Sequence, residues 1–316
     1  MNTWIIIFLV IFVIVIVSVI SYYFTCYLKN NSNESFRNSA RSNKVDNSKK
    51  HVVIVTFTTL PSRIDAVYGI IQDIKNNQTV QPDFIIPSIP FISKRKGEVY
   101  TLPSNLNNYI SSDSVQSDPQ VIINRCDDMG PITKLMGVIP LIKSSFGTKY
   151  NLNDPNTIII TIDDDQFYSK YLIEDLIIQA EKDENAAVCQ RGFFEGGIRI
   201  QPMACLFNNT VSSPKLFIQG YGGVLYRRKF ITEDMVNYVN EMASSKDAGN
   251  DSRFLSDDLV ISMWLQRNNI TKTTLCDLTT SISMDNTNIG NLDGLKNLSR
   301  GSTYSDCIKK LKNDLF

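Results

Sequence analysis

The sequence predicts an α/β protein: a mostly parallel sheet flanked by helices, preceded by one N-terminal transmembrane helix. Three observations predict it. Residues 157–162 form a continuous, β-branched apolar run that ends in three consecutive carboxylates, Asp163, Asp164 and Asp165. A run that does not alternate reads as a strand buried on both faces. Between His51 and Asp183, strand-like runs alternate with stretches of helical apolar spacing, the rhythm of parallel strands joined by crossover helices. Finally, Trp4 to Tyr23 is almost wholly apolar. About 20 helical residues at roughly 1.5 Å each span roughly 30 Å, the thickness of a bilayer core.

A cleaved signal peptide opens with basic residues and closes on small ones. Here only Met1-Asn2-Thr3 precede the run, and Tyr22, Tyr23 and Phe24 follow it as an aromatic belt. Residues 1–25 are therefore expected to be a retained single-pass anchor. Residues 26–50 are rich in Asn, Ser, Lys and Arg without apolar periodicity, the composition of a flexible stem. The remaining stretch, 51–316, is long enough for one large α/β domain, with 51–185 as one half and 186–316 as the other.

Within that stretch His51–Phe57 reads as a buried strand. Thr58-Thr59-Leu60-Pro61 turns the chain, and Ser62 opens a helix with Asp65 three residues on, a pattern like a capping box. Val67, Ile70, Ile71 and Ile74 give that helix its core stripe, and Asn76-Asn77 closes it. Phe84–Ile86 is a short strand bounded by Pro82 and Pro87. Residues 92–118 read as a surface excursion whose Lys94-Arg95-Lys96 cluster faces solvent. Gln120–Asn124 is a third strand. A helix then starts near Pro131, carries Lys134, and kinks or stops at Pro140. After the triple Asp come a helix over about 169–183, a strand at 187–189, a glycine-marked loop at 193–197 and strand-like pieces up to Tyr226. Helices over about 232–243 and 257–267 follow, giving a second half of α+β character.

Composition excludes several classes. Lys plus Arg number 32 and Asp plus Glu number 32, so there is no bulk basic field for nucleic acid. The six cysteines show no Cys-x-x-Cys spacing, which argues against zinc. The one histidine, His51, stands at the mouth of the first strand and leaves little room for histidine catalysis.

The acids carry the chemistry. In an open α/β sheet ligands bind at the carboxyl ends of strands, where the triple Asp falls. Adjacent carboxylates repel, and a divalent cation is the usual relief. Oxygen ligands suit Mg²⁺ or Mn²⁺, which keep positions open for water and phosphate oxygens. Gln219-Gly220-Tyr221-Gly222-Gly223-Val224 allows close backbone approach to a ligand. Ser256-Asp257-Asp258 opens a helix, where an N-cap serine and first-turn acids also suit the helix dipole.

With these motifs in this order, the chain resembles a GT-A-fold (Rossmann-like) glycosyltransferase of the nucleotide-diphospho-sugar transferase superfamily. The order is similar to that of inverting Fringe-like and β-1,3-galactosyltransferase-like enzymes. Asp163-Asp164-Asp165 resembles the DXD motif, Thr58–Arg63 the nucleotide-binding start, residues 219–224 the acceptor loop, and residues 256–258 the late acidic motif. The Asn- and Ile-rich composition and short anchor are similar to those of glycosyltransferases of large DNA viruses.

The resemblance implies a membrane-anchored, metal-dependent enzyme that moves a hexose-like sugar from a nucleotide-diphosphate donor to the hydroxyl of a glycan, protein or lipid acceptor, with inversion. It implies Asp165 and Asp163 as metal ligands to Mn²⁺ or Mg²⁺. Thr58, Arg63, Lys134, Asp163 and Asp164 would contact the donor, and Gly220, Tyr221, Gly222 and Gly223 the acceptor. Asp258 or Asp257 would be the catalytic base, with Asp258 preferred. Many members use a late histidine as a further metal ligand; none exists here, and Asp285 or water stands in as the candidate. Lys29, Arg37, Arg41 and Lys44 follow the anchor and none precedes it. The positive-inside rule then places the enzyme at the cytosolic face, against the Golgi-like lumen usual for such enzymes, and both stay open.

Two other readings compete. A phosphohydrolase of the haloacid dehalogenase type also carries Asp-x-Asp after an apolar strand, but that pattern wants Thr or Val where Phe167 stands. The other is an inactive, membrane-tethered carbohydrate-binding protein.

Overall fold

The computed structural model describes residues 51–109, 120–144, 150–195, 198–199, 210–275, 281–283 and 300–316, together with helical residues among 12–21. Among the described residues no helix is long and apolar enough to cross a membrane. Most of the expected anchor and all of the expected stem lie outside those residues.

His51–Phe316 is one compact unit. Strands are β1 (Val53–Phe57), β2 (Phe84–Pro90), β3 (Gln120–Val121), β4 (Asn124–Cys126), β5 (Ile158–Thr161), β6 (Gln166–Tyr168), β7 (Ala186–Cys189), β8 (Gly192–Phe194), β9 (Ile198–Arg199), β10 (Thr210–Ser213), β11 (Phe217–Ile218), β12 (Val224–Arg227), β13 (Thr271–Leu275) and β14 (Ser281–Ser283). Helices are α1 (Val67–Asn77), α2 (Thr133–Met136), α3 (Ile139–Ser144), α4 (Leu172–Ala180), α5 (Glu233–Ser244), α6 (Asp257–Arg267) and α7 (Arg300–Leu315). The central sheet runs β10-β13-β7-β12-β5-β1-β2-β3, with β4 continuing beside β2. The fold is α/β with a mostly parallel central sheet.

The sheet is buried on both faces, as its apolar runs require. Along β1, Ile54 joins one core while Val53, Val55 and Phe57 join the other. Along β5, Ile159 and Ile158/Ile160 divide the same way. This is the alternation of a pleated strand expressed in a sequence with no polar face. α2, α3, α5, α6 and α7 cover the first face, and α1 and α4 the second.

Two strands break the parallel order: β10, at the edge beside β13, and, inside the sheet, β12. β12 inserts antiparallel between β5 and β7, pairing Val224 with Thr161 and with Cys189. The glycine loop that precedes β12 is thereby delivered to the carboxyl end of β5, beside the triple Asp. β7, β12, β13 and β10 extend the same sheet that β1, β2 and β5 begin, so the expected α+β half shares one sheet with the first.

Several local expectations change. Ser62 caps nothing: the chain enters α1 through a 3-10 turn, Pro61–Ala66, whose N-cap position is Leu60. β2 does not stop at Pro87 but runs to Pro90. Proline is tolerated there because β3 pairs only up to Ile85 and β4 begins at Ser88, so the ladder has a gap at Pro87. The Pro131 helix breaks at Gly137, ahead of Pro140, which sits in the first turn of α3. β13 and α7 extend the fold beyond the elements expected.

Two glycines test this packing in opposite directions. A Cβ on Gly69, in α1, would meet nothing within 4 Å. Gly69→Ala should therefore raise the unfolding free energy by about 0.5–1 kcal/mol through helix propensity alone. Gly130 has φ +77°, and a Cβ there would land on the Phe254 carbonyl. Gly130→Ala should cost about 2–4 kcal/mol. Urea unfolding of both variants measures the contrast.

Candidate active site

β1 and β5 are neighbours, and the crossover from β1 through α1 leads to β2 on the other side. Chains that leave a central strand in opposite directions open a crevice at its carboxyl end. The triple Asp enters that crevice directly from β5.

The three aspartates do not share one partner. Lys134 Nζ donates to Asp163 Oδ1 at 2.6 Å. It also lies 2.8 Å from Asp257 Oδ2, an ion pair without hydrogen-bond alignment. Asp164 and Asp165 face Arg63, whose NH1 is 3.2 Å from Asp164 Oδ1 and 2.9 Å from Asp165 Oδ2. Thr59 Oγ1 donates to the other Asp164 oxygen at 2.6 Å. Asp258 Oδ1 accepts from the Gly220 backbone N–H at 2.8 Å.

Each support has a local cause. Lys134 stands on α2, whose backbone is tied to β1 by Thr56 Oγ1 donating to the Lys134 carbonyl. Its side chain is almost wholly buried. Ser256 occupies the N-cap of α6 but its side chain accepts no cap bond, so the expected serine cap is absent. The helix start is held through Asp257 and Asp258 to Lys134 and Gly220 instead. Gly220 is required by space, because a Cβ there would sit 2.6 Å from Asp258 Oδ1 and 3.0 Å from Lys134 Nζ. Gly223 is required by conformation, at φ +91°, with Leu172 Cδ1 2.9 Å from where its Cβ would be. A Cβ on Gly222 would crowd Gln190 Cβ at 3.0 Å.

Tyr168 and Tyr221 complete the junction. Tyr168 OH accepts from the Asp163 N–H at 2.8 Å and donates to the Tyr221 carbonyl at 3.1 Å. Arg191 lies over the Tyr221 ring and donates to its hydroxyl at 3.4 Å.

Electrostatics follow from burial against pairing. Burial works to lower the Lys134 ammonium, but Asp163, Asp257 and Asp258 outweigh it and hold the group charged well above the usual lysine range. Burial, then the charge of Asp257, pushes the Asp258 carboxyl well above the usual carboxylate range, against the pull of Lys134. Burial also raises Asp164 to about 6, with Arg63 and Thr59 opposing. Five carboxylates (Asp163, Asp164, Asp165, Asp257, Asp258) thus meet two cations, Lys134 and Arg63.

Carboxylate oxygens are the donor type that hard divalent cations take. Asp163 and Asp165 keep side-chain exposures of 29% and 24%, so both remain open towards the crevice while ion-paired. One or two carboxylates plus substrate phosphate oxygens is the usual holding of Mg²⁺. Among the described residues no group of three or more His, Cys, Asp or Glu converges on one point. Asp285 lies outside the described residues.

The contacts thus join nearly every residue that the sequence singled out: Arg63, Lys134, Asp163, Asp164, Asp165, Gly220, Tyr221, Asp257 and Asp258. Thr58 is half-buried at the end of β1, and it is the neighbouring Thr59 that reaches Asp164. Thr59, Tyr168 and Arg191 were not singled out. For Thr59 and Tyr168, proximity to the motifs was the available signal. Comparison with protein-family models returned no match, and neither did comparison with curated proteins.

Two substitutions probe the charge balance. Lys134→Met leaves Asp163 and Asp257 without their cation and should destabilise by about 3–5 kcal/mol, read by urea unfolding at pH 7. Asp164→Asn should act the other way. Its folded pKa lies above the unfolded value of 3.8, so keeping it charged in the fold costs stability above about pH 6 and nothing below about pH 4. Asp164→Asn should gain about 1–3 kcal/mol at pH 8 and nothing at pH 3.5, measured by unfolding at both.

Proposed function

We propose that this chain is a membrane-anchored, metal-dependent glycosyltransferase of GT-A type that transfers a sugar from a nucleotide-diphosphate donor to an acceptor hydroxyl with inversion. The observation that carries the proposal is the Lys134 bridge between Asp163 and Asp257, with Asp258 next in sequence and bound to Gly220. It unites an acidic strand end, a glycine loop and a helix start that lie far apart in the sequence.

Asp163 and Asp165 would hold the divalent cation, which when bound supplies Lewis-acid stabilisation to the departing diphosphate. An anionic donor meets a site with surplus negative charge, which explains why such a cation is needed at all. Arg63 and Lys134 orient Asp163, Asp164 and Asp165 and offset charge on the donor. Asp258 takes the proton of the acceptor hydroxyl as its oxygen bonds to the anomeric carbon and the bond from that carbon to the diphosphate breaks. Attack opposite the leaving group inverts the centre. Burial and the charge of Asp257 raise the Asp258 carboxyl, which makes it a stronger proton acceptor than an ordinary carboxylate. The glycine loop, Gly220 to Gly223, would border the acceptor, since its Gly220 N–H is bound to Asp258.

Calorimetry of the full-length chain against a panel of nucleotide sugars, with Mn²⁺ and with EDTA, tests the reading. One donor should bind only with Mn²⁺. Asp165→Ala should abolish both that binding and transfer. Asp258→Asn should keep donor binding while turnover falls about 10²–10⁴-fold. Normal turnover in Asp258→Asn removes it as the base. Release of phosphate from a phosphomonoester without any nucleotide sugar would replace the reading with a phosphohydrolase.

A further inference from the structure

Beneath the acidic motif, on the face of the sheet covered by α1 and α4, lies a cavity of about 410 Å³. That size falls in the range of small-molecule sites, roughly 300–1,000 Å³. Its walls are aliphatic: Val55, Ile70, Ile74, Ile160, Ile162 and Ile173. The cavity opens to solvent past Gly69 and Phe167, and an apolar group that fills it gains dispersion contacts along its aliphatic lining. Along these aliphatic walls a water finds few of the polar partners it needs.

Charge narrows what fits. Among the described residues, Asp65, Asp73 and Asp164 line the cavity and no Lys or Arg does. A phosphate or carboxylate group would meet carboxylates without an offsetting cation in the lining. The nucleotide-diphosphate end of a donor is therefore a poor occupant. Gly69 borders the space, is exposed, and presents bare backbone to it. Phe167, half exposed, adds an aromatic edge.

We propose that this cavity is a binding site for an uncharged aliphatic amphiphile, with the hydrocarbon chain against the isoleucine walls and a hydroxyl donating to Asp65 or Asp73. Such a ligand touches Asp164 and Tyr168, which also line the cavity. Those side chains hold Thr59, Arg63, the Asp163 N–H and the Tyr221 carbonyl in place. Occupancy is thus felt at the acidic motif. The site stands independently of the transfer reading.

The test is photolabelling of the full-length chain with 3-azioctanol, an uncharged diazirine alcohol, and with the corresponding diazirine octanoate, followed by mapping of adducts on peptides. The alcohol should label residues within 65–74 and 160–173 saturably, and excess 1-octanol should abolish that labelling. The octanoate should not label them. Gly69→Leu should lose the labelling, because a helical leucine lies over the preceding turn, where Asp65 and Ala66 also line the cavity. Gly69 is exposed, so Gly69→Leu should unfold at no lower urea concentration than the unsubstituted chain, measured alongside. Gly69→Ala, whose Cβ meets nothing within 4 Å, should retain labelling. Labelling that is absent, does not saturate, persists in Gly69→Leu, or is matched by the octanoate overturns the proposal.

Discussion

Lys134 places one ammonium within 2.8 Å of both Asp163 and Asp257, and burial leaves it little water to lean on. A buried ion survives only if its partners return what solvation supplied. Here the return comes from the end of β5 and the start of α6, so a single charge decides how two distant segments approach. The Asp258 bond to Gly220 adds the loop before β12 to the same junction. Gly220 has no side chain because Asp258 and Lys134 occupy the space it would need.

The antiparallel insertion of β12 makes that junction geometrically available. A parallel strand at that position would begin at the opposite edge of the sheet. Because β12 runs against β5, its first residue Val224 pairs with Thr161, the last residue of β5. The preceding glycines thereby arrive beside Asp163. The positive φ of Gly223 then gives the entry angle that other residues resist.

How far this could be read in the sequence follows from what each segment buries. β1 and β5 were legible because both faces are apolar, α1 and α5 because their apolar residues recur at helical spacing, and α6 through Ser256-Asp257-Asp258 at its start. β13 was not, since its sequence Thr-Lys-Thr-Thr-Leu looks solvated. Its Lys272 is nonetheless fully buried, donating to the carbonyls of Pro214 and Ser262, a compensation no local pattern announces. The run of β2 past Pro87 was hidden for a similar reason: it depends on a gap in the neighbouring ladder. At the site, the acids, the glycines, Arg63 and Lys134 were visible as types at intervals. Their pairing was not. Which carboxylate of the triple faces which cation depends on strand twist and helix placement. Thr59 rather than Thr58 reaching Asp164 is the same kind of fact.

The surplus of carboxylates is the feature that stability alone does not account for. Lys134 and Arg63 neutralise two of the five, and burial already drives Asp164 towards its protonated form. A fold optimised only to persist would replace such a group with a neutral one of the same shape. Local conflict of this sort concentrates where a chain must meet something outside itself. The two acids that keep the most exposure, Asp163 and Asp165, flank the most buried member of the motif and open towards the crevice. The unspent negative charge therefore faces the crevice, which is where a cation shared with an anionic substrate would meet it.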